Sequence, residues 1–342
     1  MKRPISLKAG DVVRIVAPAG KIIPHDLDMA IEILSSWGLQ SEIGQHIFKA
    51  ENMFSAPDAK RLADLQNALD DNNVRAIFCA RGGYGTNRII DELDFTAFIE
   101  NPKWIIGYSD ITVLHSHIQK NYGIESVHGI MPKNIDGKES PESLESLKNV
   151  LFGEKLDYDI SSHALDIKGS ATATLIGGNL SILAGLTGTP SEPDYQDKIL
   201  FIEEIGEYQY HVDRMIIALK RAGKLKGLKG LIVGHMTDIS DPDPGIGISI
   251  EEMILGAVAE YGYPVAFGFP AGHQNDNRAL ILGSPMQLNI TKENTSLQFI
   301  DEERDNQPKF EIHKFLAPAV MIVVFFVVIW LLYSLLLKKY LA

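Results

Sequence analysis

The sequence predicts an α/β protein in which two domains are followed by a membrane span. Strand and helix patterns alternate over the first 130 residues, a second unit between about 168 and 300 mixes both patterns, and residues 315–337 are apolar. Alternating strands and helices are typical of a parallel sheet that is covered by helices on both faces. We therefore expect a parallel-sheet N-terminal domain and a smaller mixed α/β C-terminal domain.

The expected domain boundaries follow these changes of pattern. Residues 132–167 are polar and weakly patterned, which is typical of a connection, and residues 301–305 are strongly charged. The predicted segments are an N-terminal α/β domain (1–131), an interdomain connection (132–167), a C-terminal mixed α/β domain (168–300), a charged linker (301–314) and a transmembrane helix (315–337).

Composition excludes some classes of partner. The chain has 342 residues, of which 45% are hydrophobic and 22% charged, and these values are ordinary for a globular protein of about two domains. The net charge of −12 argues against a nucleic acid, since phosphate binding needs clustered Lys and Arg. Cys79 is the only cysteine, so no internal disulfide can form.

Residues 315–337 predict a single transmembrane helix at the C-terminus. They contain no charged residue, and a helix of this length spans roughly 34 Å, enough for a hydrocarbon core of about 30 Å. The alternative is a buried core helix. We expect this helix to anchor the protein in a membrane. Because the N-terminus has no uninterrupted apolar stretch that would form a signal peptide, we expect the body of the protein in the cytoplasm.

Ser109 lies where a short apolar strand turns into a helix, in Gly107-Tyr108-Ser109-Asp110-Ile111-Thr112. A serine on such a turn projects its hydroxyl beyond the sheet edge, as in a nucleophile elbow. The pattern G-x-S-x-G is only half met, since Ile111 stands where the second glycine would be. The alternative is that Ser109, Asp110 or Thr112 only caps the next helix.

Glu203 and His273 follow in the order that a serine hydrolase can use. Glu203 ends the apolar strand 200–202 and is followed by Glu204; strand alternation lets only one of the two face a given site. His273 lies in a loop of Gly and Pro residues, and imidazole is a natural base for a serine hydroxyl. The alternatives are a solvated strand-end acid and an incidental loop histidine.

The turn Arg81-Gly82-Gly83-Tyr84-Gly85 is the second functional signal. Glycines let backbone N–H groups approach a ligand closely, so the turn could bind an oxyanion, although a simple tight turn is the alternative. No Gly-Lys-Ser/Thr follows that would make it a phosphate loop. His115 and His117 are two apart on a predicted helix and do not share a face. We expect no metal and no cofactor.

Six stretches together carry a resemblance to a known family. They are residues 15–20, 80–85, 107–112, 177–180, 200–204 and 268–273. In order and spacing they resemble the LD-carboxypeptidase family of serine peptidases, which includes muramoyltetrapeptide carboxypeptidases and microcin-immunity peptidases. The resemblance implies a flavodoxin-like or amidotransferase-like N-terminal domain, a small mixed β domain and a site between them, commonly in a homodimer. The C-terminal apolar run departs from the family pattern.

The resemblance also implies a reaction and its residues. Ser109 would be the nucleophile, His273 its base and Glu203, the first of the acidic pair, the residue that orients the base. The reaction would hydrolyse the bond between an L-configured centre, of diaminopimelate or lysine, and a terminal D-alanine, as in peptidoglycan recycling. The alternatives are an immunity-type peptidase that cleaves other acylated peptides or nucleotide–peptide conjugates, and a silent, membrane-tethered muropeptide-binding protein.

Our mechanistic hypothesis adds two elements to the triad. The oxyanion would be bound by backbone N–H groups of Asp110 and of Gly82 or Gly83. Arg81 would bind the free carboxylate of the terminal D-alanine, because a guanidinium can hold a carboxylate through two hydrogen bonds.

Overall fold

The structure is a computed structural model that describes residues 1–241 and 243–300, and two β-sheets organise these residues. The strands are β1 Val12–Val16, β2 Gln40–Ile43, β3 Val74–Cys79, β4 Trp104–Gly107, β5 Ser126–His128, β6 Asp157–Ser161, β7 Gly169–Asn179, β8 Lys198–Ile205, β9 Gly230–Thr237, β10 Val265–Ala266, β11 Leu280–Leu282, β12 Pro285–Ile290 and β13 Asn294–Phe299. The α-helices are α1 Asp28–Ser36, α2 Asp58–Asp70, α3 Thr96–Glu100, α4 Thr112–Tyr122, α5 Pro141–Leu151, α6 Leu180–Gly185, α7 Gln209–Arg221 and α8 Ile250–Val258.

The first sheet has six strands in the order β2–β1–β3–β4–β5–β11. Strands β1 to β5 are parallel, and β11 pairs antiparallel with β5 at one edge. The order 2-1-3-4-5 is that of flavodoxin, in which ligands bind beyond the carboxyl ends of the strands where the direction of winding reverses. Here that point lies between β1 and β3.

The second sheet has seven strands in the order β10–β9–β8–β7–β12–β13–β6. Its half from β7 to β10 is parallel, and its other half is an antiparallel ladder. Side chains alternate along β8: Ile199 and Phe201 pack into a core that also contains residues of the first sheet, whereas Leu200 and Ile202 pack under α7 and α8. The two sheets therefore share one apolar layer.

The helix α8 illustrates how local sequence sets an element. Ser249 accepts a hydrogen bond from the Glu252 N–H, and the Glu252 side chain accepts one from the Ser249 N–H, which forms a capping box. Ile250, Met253, Ile254 and Ala257 then recur at helical spacing and are buried against the second sheet. The helix is thus fixed at its start by a cap and along its length by one apolar face.

The predicted fold class needs correction to a mixed α/β fold with two sheets. The first sheet is not wholly parallel, because β11 from the C-terminal half closes its edge. The second sheet is not the smaller one, since it has seven strands against six. Residues Met1–Ile300 form one compact unit, and the segment 132–167 contains α5 and the edge strand β6. The expected domain boundaries stay predictions.

The predicted transmembrane helix is also corrected. The segment 315–337 and the charged linker 301–314 lie outside the described residues, and within the described ones no helix is long and apolar enough to cross a membrane. The longest of these, α2 and α7, have 13 residues. Helices of that length span about 20 Å, short of a hydrocarbon core of about 30 Å. The structure therefore gives the predicted membrane anchor and membrane localisation no support.

Candidate active site

Ser109 lies at the sharp turn between β4 and α4. Its φ angle is 62°, a left-handed conformation that residues other than glycine seldom adopt. A Cβ on Gly107 would lie 2.9 Å from Ile111 Cγ1, so the chain can turn this tightly only with glycine there. Such strained serines at strand-to-helix turns are typical of nucleophile elbows.

The side chains that could have capped α4 make other contacts. Asp110 Oδ2 accepts a hydrogen bond from the Thr86 N–H at 2.8 Å, and Thr112 Oγ1 accepts one from the Asn179 N–H at 3.0 Å. Ser109 makes no capping hydrogen bond in the described part of the chain. Capping therefore does not account for this cluster of polar residues.

The glycine turn after β3 passes directly beside the nucleophile elbow. A Cβ added to Gly82 would lie 2.8 Å from Ser109 Cβ, 3.0 Å from Ser109 Oγ and 3.5 Å from the Asp110 nitrogen. The Gly82 carbonyl accepts a hydrogen bond from the Gly20 N–H at 3.0 Å, which ties the turn to the end of β1. Only a residue without a side chain allows this approach.

Glu203 and His273 form a hydrogen-bonded pair. His273 Nδ1 lies 2.6 Å from Glu203 Oε2, and the Glu203 side chain is fully buried. Because Nδ1 donates to a carboxylate, Nε2 is left as the proton acceptor. Gly272 makes room for the pair, since a Cβ there would lie 3.0 Å from Glu203 Oε2.

The neighbouring Glu204 faces the opposite side of β8. Its carboxylate accepts hydrogen bonds from Asn179 Nδ2 at 2.9 Å and from the Ser181 N–H at 2.7 Å. Burial raises the pKa of Glu204, and these hydrogen bonds oppose that rise. Glu204 thus fixes the start of α6, whereas Glu203 faces His273.

His273 is held close to the elbow by its neighbours. Its ring lies edge-on to that of Tyr108, the residue before Ser109, with ring centroids 4.7 Å apart. Asn277 Oδ1 accepts a hydrogen bond from the Gly272 N–H at 2.9 Å and so fixes the histidine loop. No hydrogen bond joins Ser109 Oγ to His273 within the described residues; such contacts often tighten only when substrate binds.

Two buried histidines lie beneath this group. Burial lowers the pKa of His115 to about 4 and that of His128 well below its usual range, where neighbouring histidines lower it further. The His128 ring packs against Tyr108 and Phe201. Both buried rings are therefore neutral near pH 7.

Arg81 lies on the same turn, one residue before Gly82. Its Nη1 donates to the Lys21 carbonyl at 2.8 Å. Asp26 lies near enough for the Arg81 charge to contribute, after Lys133, to the lowered pKa of that carboxyl, and Lys133 forms the ion pair with Asp26. Within the described residues Arg81 itself forms no carboxylate ion pair, which leaves guanidinium N–H groups for an anionic group. No three His, Cys, Asp or Glu side chains of the described ranges are grouped so that they could hold a metal ion.

Some residues of the site gave no signal in the sequence. Asn277 acts through a loop backbone, and Arg61 is buried beside the glycine turn, where its Nη1 donates to the Gly85 carbonyl at 2.9 Å. Both contacts join parts of the chain that periodicity and motif spacing do not relate. The Gln-Asn-Asp-Asn run after His273 is typical of a polar loop, but it does not single out Asn277.

Comparison with known families decides the assignment. A family model of the LD-carboxypeptidase N-terminal domain matches residues 13–129, and a model of the LD-carboxypeptidase C-terminal domain matches residues 172–288. The chain belongs to the LD-carboxypeptidase family. It is 35% identical over 299 residues to a probable murein peptide carboxypeptidase of Bacillus subtilis. The aligned residues cover 86% of this chain and 93% of that protein.

Solved structures agree with this LD-carboxypeptidase assignment. The crystal structure of muramoyltetrapeptide carboxypeptidase from Oxalobacter formigenes has a TM-score of 0.78 and 30% identity, and the match covers 85% of this chain and 99% of that one. The microcin C7 self-immunity protein matches with a TM-score of 0.76 at 22% identity, over 86% of this chain and 98% of that one. The second likeness establishes a shared fold.

Proposed function

We propose that this chain is a serine carboxypeptidase that hydrolyses the bond between an L-centre and the terminal D-alanine of peptidoglycan tetrapeptides. The L-centre would belong to diaminopimelate or lysine. The observation that carries the proposal is the buried Glu203–His273 hydrogen bond of 2.6 Å beside a serine at φ 62°. Similarity to muramoyltetrapeptide carboxypeptidase supports the choice of substrate.

In the acylation step His273 Nε2 takes the proton of Ser109 Oγ, and the oxygen attacks the carbonyl carbon of the L-centre. Glu203 keeps Nδ1 protonated and stabilises the imidazolium that forms. His273 then returns the proton to the leaving nitrogen of D-alanine. A water molecule, deprotonated by the same histidine, releases the acyl group from Ser109.

The negative oxygen of each tetrahedral intermediate needs donors that are already in position. The N–H groups of Asp110 and of Gly82 or Gly83 are the candidates, because a Cβ on Gly82 would lie 3.0 Å from Ser109 Oγ and 3.5 Å from the Asp110 nitrogen, so the glycine turn adjoins both. Loss of one such donor typically lowers kcat by about 100- to 1,000-fold. Preorganised backbone donors would therefore supply a large part of the rate.

Arg81 would bind the free carboxylate of the terminal D-alanine. It precedes Gly82, and within the described residues its guanidinium makes no ion pair that a substrate would have to displace. Binding of this carboxylate would restrict the enzyme to the last residue of a peptide. The expected homodimer and the expected absence of a cofactor stay predictions.

The proposal is tested by release of D-alanine from a muramoyl tetrapeptide by the full-length protein. A matched peptide that ends in L-alanine serves as the control, because inversion of that centre exchanges the places of the methyl group and the carboxylate relative to Arg81. We expect D-alanine and tripeptide in equal amounts from the first peptide and no cleavage of the second. Folded protein that releases no D-alanine, or cleaves both peptides equally, would refute the proposal.

Gly82→Ala is expected to lower kcat by about 100-fold, since a displacement of about 1 Å at reacting groups can cost that much. The new Cβ would lie 2.8 Å from Ser109 Cβ, so the nucleophile or the turn must move. Steady-state kinetics of D-alanine release measure the effect. The control is Gly256→Ala in α8, where a Cβ would meet nothing within 4 Å. Unchanged kcat in Gly82→Ala would show that the turn does not adjoin the reacting atoms.

A further inference from the structure

The side chain of Asp110 connects the nucleophile elbow to the glycine turn. Asp110 follows Ser109 directly and is 1% exposed. Its Oδ2 accepts the Thr86 N–H at 2.8 Å, at the far end of the turn, whereas its Oδ1 has no hydrogen-bond partner within the described residues. One buried carboxylate thus spans the two backbone segments that carry the candidate oxyanion donors.

The turn needs such restraint because its glycines allow the backbone many conformations. Gly83 and Gly85 have φ angles of 107° and 149°, which glycine adopts readily in the unfolded chain together with many other conformations. Without contacts that select this conformation, the N–H groups of the turn would sample many directions. A preorganised oxyanion site requires one direction.

Arg61 holds the turn from the opposite side. Its side chain is fully buried, and it donates to the carbonyls of Gly85 at 2.9 Å, Ala56 at 3.1 Å and Pro18. A Cβ on Gly85 would lie 2.6 Å from Arg61 Nη1, so the backbone of the turn rests directly on the guanidinium. The planar, permanently charged fork of arginine joins three loops in a way that a single ammonium cannot.

We propose that Asp110 and Arg61 are positioning residues that hold the glycine turn against Ser109, so that the N–H groups of residues 110 and 82 or 83 converge on one oxygen. This inference rests on the proposed function, because it assigns a purpose to that oxyanion site. Asp110 acts through the backbone of Thr86, and Arg61 acts through the carbonyl of Gly85. Neither side chain touches the substrate.

The test compares Asp110→Ala with Asp110→Asn, which keeps an oxygen acceptor for the Thr86 N–H. Full-length variants are assayed for kcat and KM on the muramoyl tetrapeptide. Each is also assayed for inhibition by a peptide aldehyde and by the tripeptide product. Ser109 Oγ adds to the aldehyde carbon, its proton passes to His273, and the carbonyl oxygen becomes an alkoxide in the oxyanion site. The tripeptide forms no such oxygen.

For Asp110→Ala we expect kcat to fall about 10- to 100-fold, with KM within about threefold. Inhibition by the aldehyde should weaken by a similar factor, while inhibition by the tripeptide stays unchanged. Asp110→Asn should recover most of kcat. Arg61→Lys should show the same split between kcat and KM, and it replaces Asp110→Ala in the test if that variant does not fold.

The control is Asp64→Ala, which removes another buried carboxylate that accepts a backbone N–H, that of His46 at 2.8 Å. It should lower the melting temperature and leave the kinetic constants unchanged. If the folded Asp110 or Arg61 variants keep wild-type kcat, or lose aldehyde and tripeptide binding equally, the positioning role is wrong. Wild-type protein that releases no D-alanine would instead refute the proposed function.

Discussion

Ser109→Ala is expected to lower kcat for D-alanine release by about 10⁴-fold or more, because alanine lacks the oxygen that is proposed to form the acyl intermediate. Binding of the tetrapeptide should persist, since the change removes one oxygen and leaves the turn and Arg81 in place. The measurement is D-alanine release under single-turnover conditions, with the dissociation constant of the tetrapeptide determined on the same variant.

The matched control for this change is Ser116→Ala. Ser116 is buried in α4, on the same helix that follows the elbow. It should keep kcat within about twofold, as is usual for a substitution that leaves the reacting groups unchanged. If Ser109→Ala retained more than a few per cent of the activity, the nucleophile would have to be another residue.

Glu203→Gln is expected to lower kcat by about 10³- to 10⁴-fold at neutral pH, with a small effect on KM. The amide can present an N–H to His273 Nδ1, which turns that nitrogen into an acceptor and moves the ring proton to Nε2. The histidine then cannot accept the proton of Ser109. Because Glu203 is fully buried and its Oε2 lies 2.6 Å from Nδ1, the substituted amide would stay in direct contact with this nitrogen.

Glu204→Gln is the control, one residue further along the same strand. It changes the hydrogen bonds to Asn179 and Ser181 at the start of α6. It should therefore lower the melting temperature and leave kcat close to that of the wild type. Equal loss of kcat in both variants would mean that the acidic pair acts through the fold alone, and the role of Glu203 would be abandoned.

The sequence predicts local features of this protein well. The short apolar strand expected before Ser109 is observed at Trp104–Gly107, and the helix expected after it is observed at Thr112–Tyr122. These elements follow from an apolar run, a glycine at a tight turn and a left-handed Gly123 at the helix end. Local propensity and tertiary packing agree there, so periodicity alone is sufficient.

Long-range contacts are what the sequence does not provide. Alternation along β8 shows that only one of Glu203 and Glu204 faces the site, but not which, because that depends on how β8 packs against the first sheet. The pairing of β11 with β5 also depends on tertiary packing, as do the contacts of Arg61 and Asn277, so the sequence does not predict them. The catalytic roles of Ser109, Glu203 and His273 stay predictions until the variants are measured.

The antiparallel edge strand β11 anchors the far end of the loop that carries His273. The chain leaves the second sheet after β10, passes His273 and then enters the first sheet as β11. The loop between them is therefore held at both ends, in the second sheet by β10 and in the first sheet by β11. Without β11, β5 would be left as an open sheet edge, and the loop that carries His273 would be anchored at one end only.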